Sequence, residues 1–283
     1  MSIKIKLTGG LGNQMFQFAT GYCIAKKKNV ELFLDLSWFN RRAIHNGFEL
    51  NNVFDIFSKI SFLNNDFNFK KFKFKEFLNK IDMSYHTFNE PSFNYSAEIT
   101  KLPDHCFLKG YWQSENYFKD YENEIKKIFS FNKVVDRVNL NLIDEITNNN
   151  SVSIHIRRGD FLLQKNQNHQ TDLSNYYSTA IKEVSKNNYN LKFFLFTDDP
   201  KWASKNFDIN GEKTVVNFNH GNNSFIDMHL MSLCKINIIA NSSFSWWGAW
   251  LNNNDKNIFA PKNWFNDKSI NTDDLIPTSW TVI

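Results

Sequence analysis

The sequence has few arginines, few cysteines and no long apolar run. Only five of its 33 basic side chains are arginines: Arg41, Arg42, Arg137, Arg157 and Arg158. The three cysteines are odd in number and widely separated, so a disulfide framework is not expected. No stretch reaches the roughly 18 apolar residues of a membrane span, and the start lacks the pattern of a secretory signal. These absences predict a cytoplasmic protein and leave open a peripheral contact with the inner membrane face.

The overall composition is that of a folded protein. The chain has 283 residues, 42% hydrophobic and 22% charged, which is far from the composition of disordered chains. Its length suggests two domains at roughly 100–200 residues each. The net charge of +4 is a mild excess that favours anionic ligands and gives no indication of nucleic-acid binding.

Strand and helix patterns alternate along the chain, which predicts an α/β protein with parallel sheets. A strand, a glycine turn and a helix open the sequence. The polar segment 147–150 precedes a strongly apolar strand, Val152 to Ile156, and we place the domain boundary there, giving domains 1–147 and 148–283. The second domain is predicted from the following elements: helix 175–185, strand 192–196, strand 213–217, helix 225–234, strand 236–240, helix 243–251 and strand 257–260.

A Phe/Lys-rich stretch, FNFKKFKFKEF, lies in the first domain. Phe72 and Phe74 alternate with lysines at strand period, which favours a half-buried strand with a solvated lysine face. A patch for a membrane surface or an acidic partner is the alternative.

Two adjacent arginines follow the apolar strand that opens the second domain, in the segment SIHIRRGD. Arginine grips phosphate through a rigid fork of donors, so the segment predicts a diphosphate clamp. Neighbouring strand residues point to opposite faces, and we expect Arg157 to hold phosphate and Arg158 to support it. An ion pair between Arg158 and Asp160 is the structural alternative.

The segment GGLGNQMF joins the first strand to the first helix. Glycines there allow a tight turn and leave backbone N–H groups at a helix N-terminus, where anions are favoured. The spacing fits neither a dinucleotide fingerprint nor a P-loop. An ordinary turn with Asn13 or a glutamine as the cap is the alternative.

Two further segments carry candidate binding residues. In FTDDP, the carboxylates of Asp198 and Asp199 are candidates for a metal, a ribose or a base, and Asp199 before Pro200 is also a candidate helix cap. Near the C-terminus, Asp227 offers an acceptor for a guanine edge, and the segment NSSFSWWGAW offers hydroxyl donors at a helix start. Simple helix capping and a tryptophan-rich core are the alternatives there.

Taken together, the segments GGLGNQMFQFA, HIRRGDF, FTDDP, IDMHLMSLC and IIANSSFSWWGAWL resemble inverting fucosyltransferases. The similarity is to the bacterial α-1,2-fucosyltransferases of glycosyltransferase family 11 and to their α-1,6 and protein O-fucosyltransferase relatives. The resemblance implies a GT-B fold with two Rossmann-like, doubly wound domains facing a cleft. It also implies a GDP-fucose-dependent galactoside 2-α-L-fucosyltransferase that needs no metal and no cofactor. The C-terminal domain would bind GDP-fucose, and the N-terminal domain would meet a galactose-terminated acceptor glycan.

The resemblance also assigns roles to residues. Arg157 takes the place of the phosphate-binding arginine, and His155 and Asp160 are the candidates for the base. An acid found a few residues later in the α-1,6 relatives has no counterpart at 162–166. The predicted GDP-fucose-binding residues are Gly10, Gly12, Asn13, Arg157, Arg158, Asp198, Asp199, Asp227, Ser242, Ser243 and Phe244. A non-catalytic nucleotide-sugar or glycan-binding protein, and a transferase of another linkage, acceptor or donor, are the alternatives.

Overall fold

Two parallel sheets organise the chain, each within its own unit. The computed structural model describes residues 1–40, 45–58, 85–131, 136–158, 172–207, 209–253 and 257–283. The first unit spans Met1–Lys133 with Asn271–Leu275, and the second spans Val134–Ile270 with Ile276–Ile283. The Phe/Lys-rich stretch lies outside the described residues, as do Asp160 and residues 162–166.

The first unit contains a four-stranded parallel sheet in the order β2-β1-β4-β3. Its strands are β1 (Ser2–Lys6), β2 (Glu31–Asp35), β3 (His86–Asn89) and β4 (His105–Lys109). Its described α-helices are α1 (Leu11–Lys28), α2 (Leu50–Phe54) and α3 (Glu122–Ile128).

The second unit contains a six-stranded parallel sheet in the order β10-β9-β8-β5-β6-β7. Its strands are β5 (Asn150–Ile156), β6 (Leu191–Thr197), β7 (Glu212–Val216), β8 (Ile236–Ile238), β9 (Ile258–Ala260) and β10 (Thr281–Val282). Its described α-helices are α4 (Arg137–Asn148), α5 (Ser174–Asn187), α6 (Pro200–Asn206), α7 (Phe225–Leu233) and α8 (Ser243–Trp250).

The opening β1–α1–β2 unit follows from simple residue patterns. Ile3 and Ile5 are fully buried in β1 while Lys4 and Lys6 are only partly covered, which is the period of two of a strand. Helix α1 ends in three lysines, where positive charge is favoured by the helix dipole. Asn29 then caps it in the left-handed conformation, with φ of 53°.

The strand before the paired arginines is the interior strand β5. Val152, Ser153 and Ile154 are all buried, because a parallel strand with neighbours on both sides is covered on both faces. The tryptophans of α8 are core residues, with Trp246 and Trp247 fully buried. The core interpretation of this aromatic run is therefore confirmed.

The division between the units falls before α4, earlier than the expected boundary at 147/148. Asp136 caps α4 by accepting a hydrogen bond from the Asn139 backbone N–H at 2.9 Å. Leu142 and Ile146 on the same helix are buried, and the Asn139 side chain bonds Asn219 of the second unit. Helix α4 therefore belongs to the second unit. No helix in the described parts of the chain is both long and apolar enough to cross a membrane.

Candidate active site

The strand order of the second sheet reverses between β5 and β8. From β5 the chain builds β6 and β7 on one side and then returns to place β8 on the other side. In open parallel sheets, ligands bind beyond the carboxyl ends of the strands at such a reversal. Arg157 and Arg158 follow β5 directly, and the segment 241–244 follows β8. These loops form the candidate site, called here the β5–β8 edge.

Arg157 and the start of α8 meet at the β5–β8 edge. Arg157 Nη1 donates a hydrogen bond to Ser242 Oγ at 3.2 Å. The same hydroxyl accepts from the Phe244 backbone N–H at 3.3 Å, which makes Ser242 the N-cap of α8. Ser242 is buried, whereas Ser243 and Phe244 are half-buried. A guanidinium and a helix N-terminus therefore lie side by side, an arrangement that favours an anion.

Arg158 leaves the strand in the other direction. Its backbone N–H donates to Asp198 Oδ1 at 2.8 Å, and its Nε lies 3.6 Å from Asp199 Oδ2. Its guanidinium lies 3.8 Å from the centre of the Trp202 ring. The arginines thus separate, one toward α8 and the other toward α6. The phosphate-holding role of Arg157 and the supporting role of Arg158 stay predictions. The acid that pairs with Arg158 in the described structure is Asp199.

The paired carboxylates after β6 have structural partners. Asp199 accepts a hydrogen bond from the Trp202 backbone N–H at 3.1 Å, and Pro200 occupies the first turn of α6. The helix-cap alternative for Asp199 is therefore confirmed, and its proposed role in donor binding stays a prediction. Within the described residues no group of three or more His, Cys, Asp or Glu is placed to hold a metal.

His155, the described candidate for the base, is half-buried near the end of β5. Its backbone carbonyl accepts a hydrogen bond from the Tyr177 hydroxyl at 2.8 Å, and its ring lies 5.9 Å from the Phe244 ring. The imidazole therefore lies beside the start of α8, at the same sheet edge as Arg157.

Asp227, the predicted guanine contact, lies at the end of a chain of amides. Asn219 Nδ2 donates to Asp227 Oδ1 at 2.7 Å and to Asn139 Oδ1 at 3.0 Å. Asn139 Nδ2 in turn donates to Asn219 Oδ1 at 2.9 Å and to Asp136 Oδ1 at 3.1 Å. Burial raises the pKa of Asp227 to about 7, while the hydrogen bond from Asn219 opposes that rise.

The glycine turn of the first unit places Asn13 on the first turn of α1. Gly9 has φ of 76°, and a Cβ there would lie 2.6 Å from Asn13 Nδ2. The helix cap is Gly10, with no capping side chain, so the alternative in which Asn13 or a glutamine caps α1 is wrong. Asn13 instead accepts a hydrogen bond from Gln113 Nε2 at 2.8 Å. Gly12 is buried on the same turn.

The buried glutamines of α1 hold the loops on either side of the glycine turn. Gln14 donates to the carbonyls of Gly9 and Gly47 at 3.0 and 2.9 Å. Gln17 accepts from the Thr8 backbone N–H at 2.8 Å and donates to the Gly110 carbonyl at 3.0 Å. These bonds satisfy loop backbone groups that the sheet leaves unpaired.

Three residues around the candidate site of the second unit, and one beside the glycine turn of the first unit, were missed by sequence reasoning. Each acts through a partner far away in the chain, so spacing gives no sign of it. The sequence feature that could have identified Trp202 is its position three residues after the capping Asp199. For Gln113 that feature is its place in a polar turn after a short strand. These residues are Gln113, Asn139, Trp202 and Asn219.

The two parallel sheets with reversing strand order define a doubly wound α/β protein, and the second sheet has an edge that favours an anion. Comparison with known proteins gives the family. The Glycosyl transferase family 11 profile matches residues 1–283. The chain belongs to this family and is a glycosyltransferase. It is 37% identical to an α-1,2-colitosyltransferase of Escherichia coli, over all of this chain and 99% of the relative. It is 32% identical to the O-antigen biosynthesis glycosyltransferase WbnK of Escherichia coli, over 93% of this chain and 95% of the relative.

Solved structures support the fold. The α-1,6-fucosyltransferase NodZ, in crystals soaked with GDP-fucose, matches with a TM-score of 0.51 and 17% identity, over 89% of this chain and 92% of NodZ. NodZ from Bradyrhizobium matches with a TM-score of 0.50 and 16% identity, over 89% of this chain and 93% of NodZ. The predicted α/β fold class of GT-B type is confirmed.

Proposed function

We propose that this chain transfers L-fucose from GDP-β-L-fucose to the 2-hydroxyl of a terminal β-galactoside, with inversion to an α-1,2 linkage. The observation that carries the proposal is the Arg157 guanidinium beside the Ser242-capped start of α8, at the reversal of strand order. Membership of Glycosyl transferase family 11 supports transfer to a glycan, and the 37% identical α-1,2-colitosyltransferase supports the linkage.

The chemistry requires stabilisation of a leaving diphosphate. As the anomeric carbon–oxygen bond of the donor breaks, negative charge collects on GDP and the sugar ring gains oxocarbenium character. The Arg157 guanidinium and the N–H groups at the start of α8 are fixed before the reaction, because Arg157 is already bonded to Ser242. Such fixed donors contribute several kcal/mol to many enzymes.

Asp227 is the residue that would bind the guanine base of the donor. Its Oδ1 already accepts from Asn219, which leaves Oδ2 to accept from the N–H groups of a guanine edge. A uracil edge presents a single N–H group, so the site would favour GDP over UDP.

The acceptor hydroxyl must also lose a proton, and His155 and Asp160 are the candidates to take it.

GDP-colitose is a second candidate donor, and the α-1,2-colitosyltransferase relative favours it. Colitose is fucose without the 3-hydroxyl group, so the two donors share the diphosphate and guanine that Arg157 and Asp227 would bind. A site that hydrogen-bonds the 3-hydroxyl would discriminate strongly against colitose, whereas an apolar pocket would not reject fucose as strongly.

The test is transfer by the purified full-length chain from GDP-fucose and GDP-colitose to a panel of β-galactosides, with linkage determination of each product. We expect an α-1,2 product, competition by GDP rather than UDP, and full activity in EDTA. A product of another linkage would overturn the α-1,2 assignment, and loss of activity in EDTA would overturn the metal-free mechanism. Donor binding without turnover would instead support the non-catalytic alternative.

A further inference from the structure

The first sheet has its own reversal of strand order, between β1 and β4. The chain builds β1 and β2 on one side, and β3 and β4 lie on the other. The glycine turn follows β1, and the loop 110–114 follows β4, so the two loops meet at the carboxyl edge. By the rule that locates ligands at such reversals, this edge is a second place for substrate to meet the chain.

One side-chain hydrogen bond joins these two loops. Gln113 Nε2 donates to Asn13 Oδ1 at 2.8 Å, and Gln113 is buried. Because the Asn13 oxygen accepts this bond, its Nδ2 is the atom turned toward the Gly9 turn, where a Cβ would lie 2.6 Å away. Asn13 Nδ2 itself makes no hydrogen bond within the described residues, so its N–H groups are available to an incoming oxygen.

The backbone around Gln113 is fixed by a single carboxylate. Glu90 Oε2 accepts from the Tyr111 backbone N–H at 2.6 Å, and Oε1 accepts from the Trp112 N–H at 2.8 Å. Trp112 is fully buried with φ of 59°, a conformation that costs a non-glycine residue energy and persists only where its surroundings impose it. Gly110 fits closely, since a Cβ there would lie 2.4 Å from Glu90 Cβ. Gln113 is therefore presented by a rigid loop.

We propose that Gln113 is a positioning residue that orients the Asn13 amide, so that Asn13 Nδ2 faces a substrate oxygen at the β1–β4 edge. This inference rests on the proposed function and on the expectation from the sequence that Asn13 binds the nucleotide sugar. Gln113 itself acts through Asn13 and does not touch the substrate. The oxygens of a sugar phosphate are acceptors, so the orientation that presents N–H groups is the productive one.

A variant that reverses the direction of the Gln113–Asn13 hydrogen bond tests this proposal directly. Gln113→Glu keeps the shape of the side chain but can only accept at neutral pH, so Asn13 must turn its Nδ2 toward the carboxylate and its oxygen toward the substrate. We expect kcat/KM for the donor to fall at least about tenfold. The matched control is Asn116→Asp, which makes the same amide-to-acid change three residues away, where the oxygen accepts from Lys119 Nζ at 2.9 Å.

A double-mutant cycle separates positioning from a structural role. If Gln113 acts only through Asn13, Gln113→Glu should cost activity in the wild-type background and nothing further in the Asn13→Ala background. An equal loss in both backgrounds would overturn the proposal. Thermal unfolding of each variant shows whether the fold is intact.

A measurement without turnover keeps this inference separate from the proposed function. In protein labelled with ¹⁵N-asparagine, the Asn13 side-chain amide resonances should move strongly in Gln113→Glu, because Nδ2 then donates to a carboxylate, and stay in place in Asn116→Asp. Unmoved resonances would overturn the orientation proposed here. If the resonances move but no GDP-sugar is used by the wild type, the orientation stands and the proposed function fails.

Discussion

At the scale of single residues, we expect the proposed chemistry of the second unit to depend on Arg157 and to need more than a point charge there. Arg157 donates to Ser242 through one nitrogen of its guanidinium, and a planar fork of donors suits two oxygens of an anion. Lysine is the common cation of this chain and would supply charge without that geometry.

Arg157→Ala should be nearly inactive with its fold intact, and Arg157→Lys should also lose most of its activity. An ammonium is a point charge without the planar fork of the guanidinium, and alanine has neither, so we expect kcat/KM to fall at least about a hundredfold in both variants. Steady-state kinetics with the preferred GDP-sugar measures this loss. Arg137→Ala, an exposed arginine on α4, is the matched control. Wild-type turnover by Arg157→Ala would remove Arg157 from the mechanism.

Asp227 should make donor binding depend on pH. Its carboxylate must be ionised to accept from a guanine edge, and burial raises its pKa to about 7. GDP affinity should therefore weaken as the pH falls from about 8 to about 6. Isothermal titration calorimetry of the wild type and Asp227→Asn measures this, and the variant should bind GDP weakly at both pH values. A flat profile in the wild type would contradict the assignment.

The same carboxyl should also lower stability at high pH. Because its folded pKa is raised, the folded state holds the proton more tightly than the unfolded state does. The resulting stabilisation is present below about pH 4 and is lost as the pH rises through about 7. Asp227→Asn keeps an acceptor for Asn219 without the charge, so it should raise the free energy of unfolding by on the order of 1–3 kcal/mol at about pH 8.

Urea unfolding at about pH 8 and about pH 5 measures this effect, which should be much smaller at the lower pH. Asp144→Asn, an exposed acid on α4, serves as the control. An equal change in stability at both pH values would show that the pKa of the Asp227 carboxyl is not raised in the folded state.

At the scale of elements, the glycine turn between β1 and α1 combines a backbone requirement with a packing requirement. Gly9 and Gly47 have the same φ of 76°, but a Cβ meets Asn13 at Gly9 and meets nothing within 4 Å at Gly47. The two positions therefore separate the cost of the left-handed conformation from the cost of the contact.

Gly9→Ala should lower stability and activity, whereas Gly47→Ala should lower stability alone. The shared φ should cost both variants about 1 kcal/mol. The added methyl group at Gly9 must also displace Asn13, so this variant should lose at least about tenfold in kcat/KM. Chemical unfolding and kinetics of the two variants test this. Equal activity in both would show that the place of Asn13 does not matter for turnover.

At the scale of the whole molecule, the second unit needs α4. The Asn139–Asn219 amide pair and the buried Leu142 and Ile146 attach this helix to the rest of the unit. Cutting the chain at the expected boundary of 147/148 would expose this apolar face and leave Asn219 without the Asn139 partner.

A fragment 134–283 should therefore unfold cooperatively, and a fragment 148–283 should not. Removing α4 takes away the packing of two buried aliphatic side chains and an amide network. The free energy of unfolding lost in this way is comparable to the total stability of a domain, which is roughly 5–15 kcal/mol. Circular dichroism and urea unfolding of the two fragments compare them directly. Cooperative unfolding of 148–283 would place the boundary after α4.

Much of the fold was predictable from local pattern. The alternation of Ile3 and Ile5 and the apolar run of β5 predict strands. A strand buried on one face has apolar residues at every second position, and a strand buried on both faces has a continuous apolar run. Strands β3, β4 and β10 and helices α2, α3 and α4 were missed. In β4 the apolar Phe107 lies between Cys106 and Leu108, so the sequence lacks a period of two. Helix α4 is amphipathic, and the spacing of Leu142 and Ile146 by four residues was the signal that could have found it.

The sequence by itself determined the class of fold, the family resemblance and the segment that holds Arg157, because these depend on residues close together in the chain. Tertiary structure alone decided the order of the strands and therefore which loops share an edge. It separated Arg157 from Arg158, placed Asn219 on Asp227 and set Gln113 against Asn13. Such pairs join residues up to about a hundred positions apart, and nothing in their spacing marks them. Only packing brings their polar atoms within hydrogen-bonding distance.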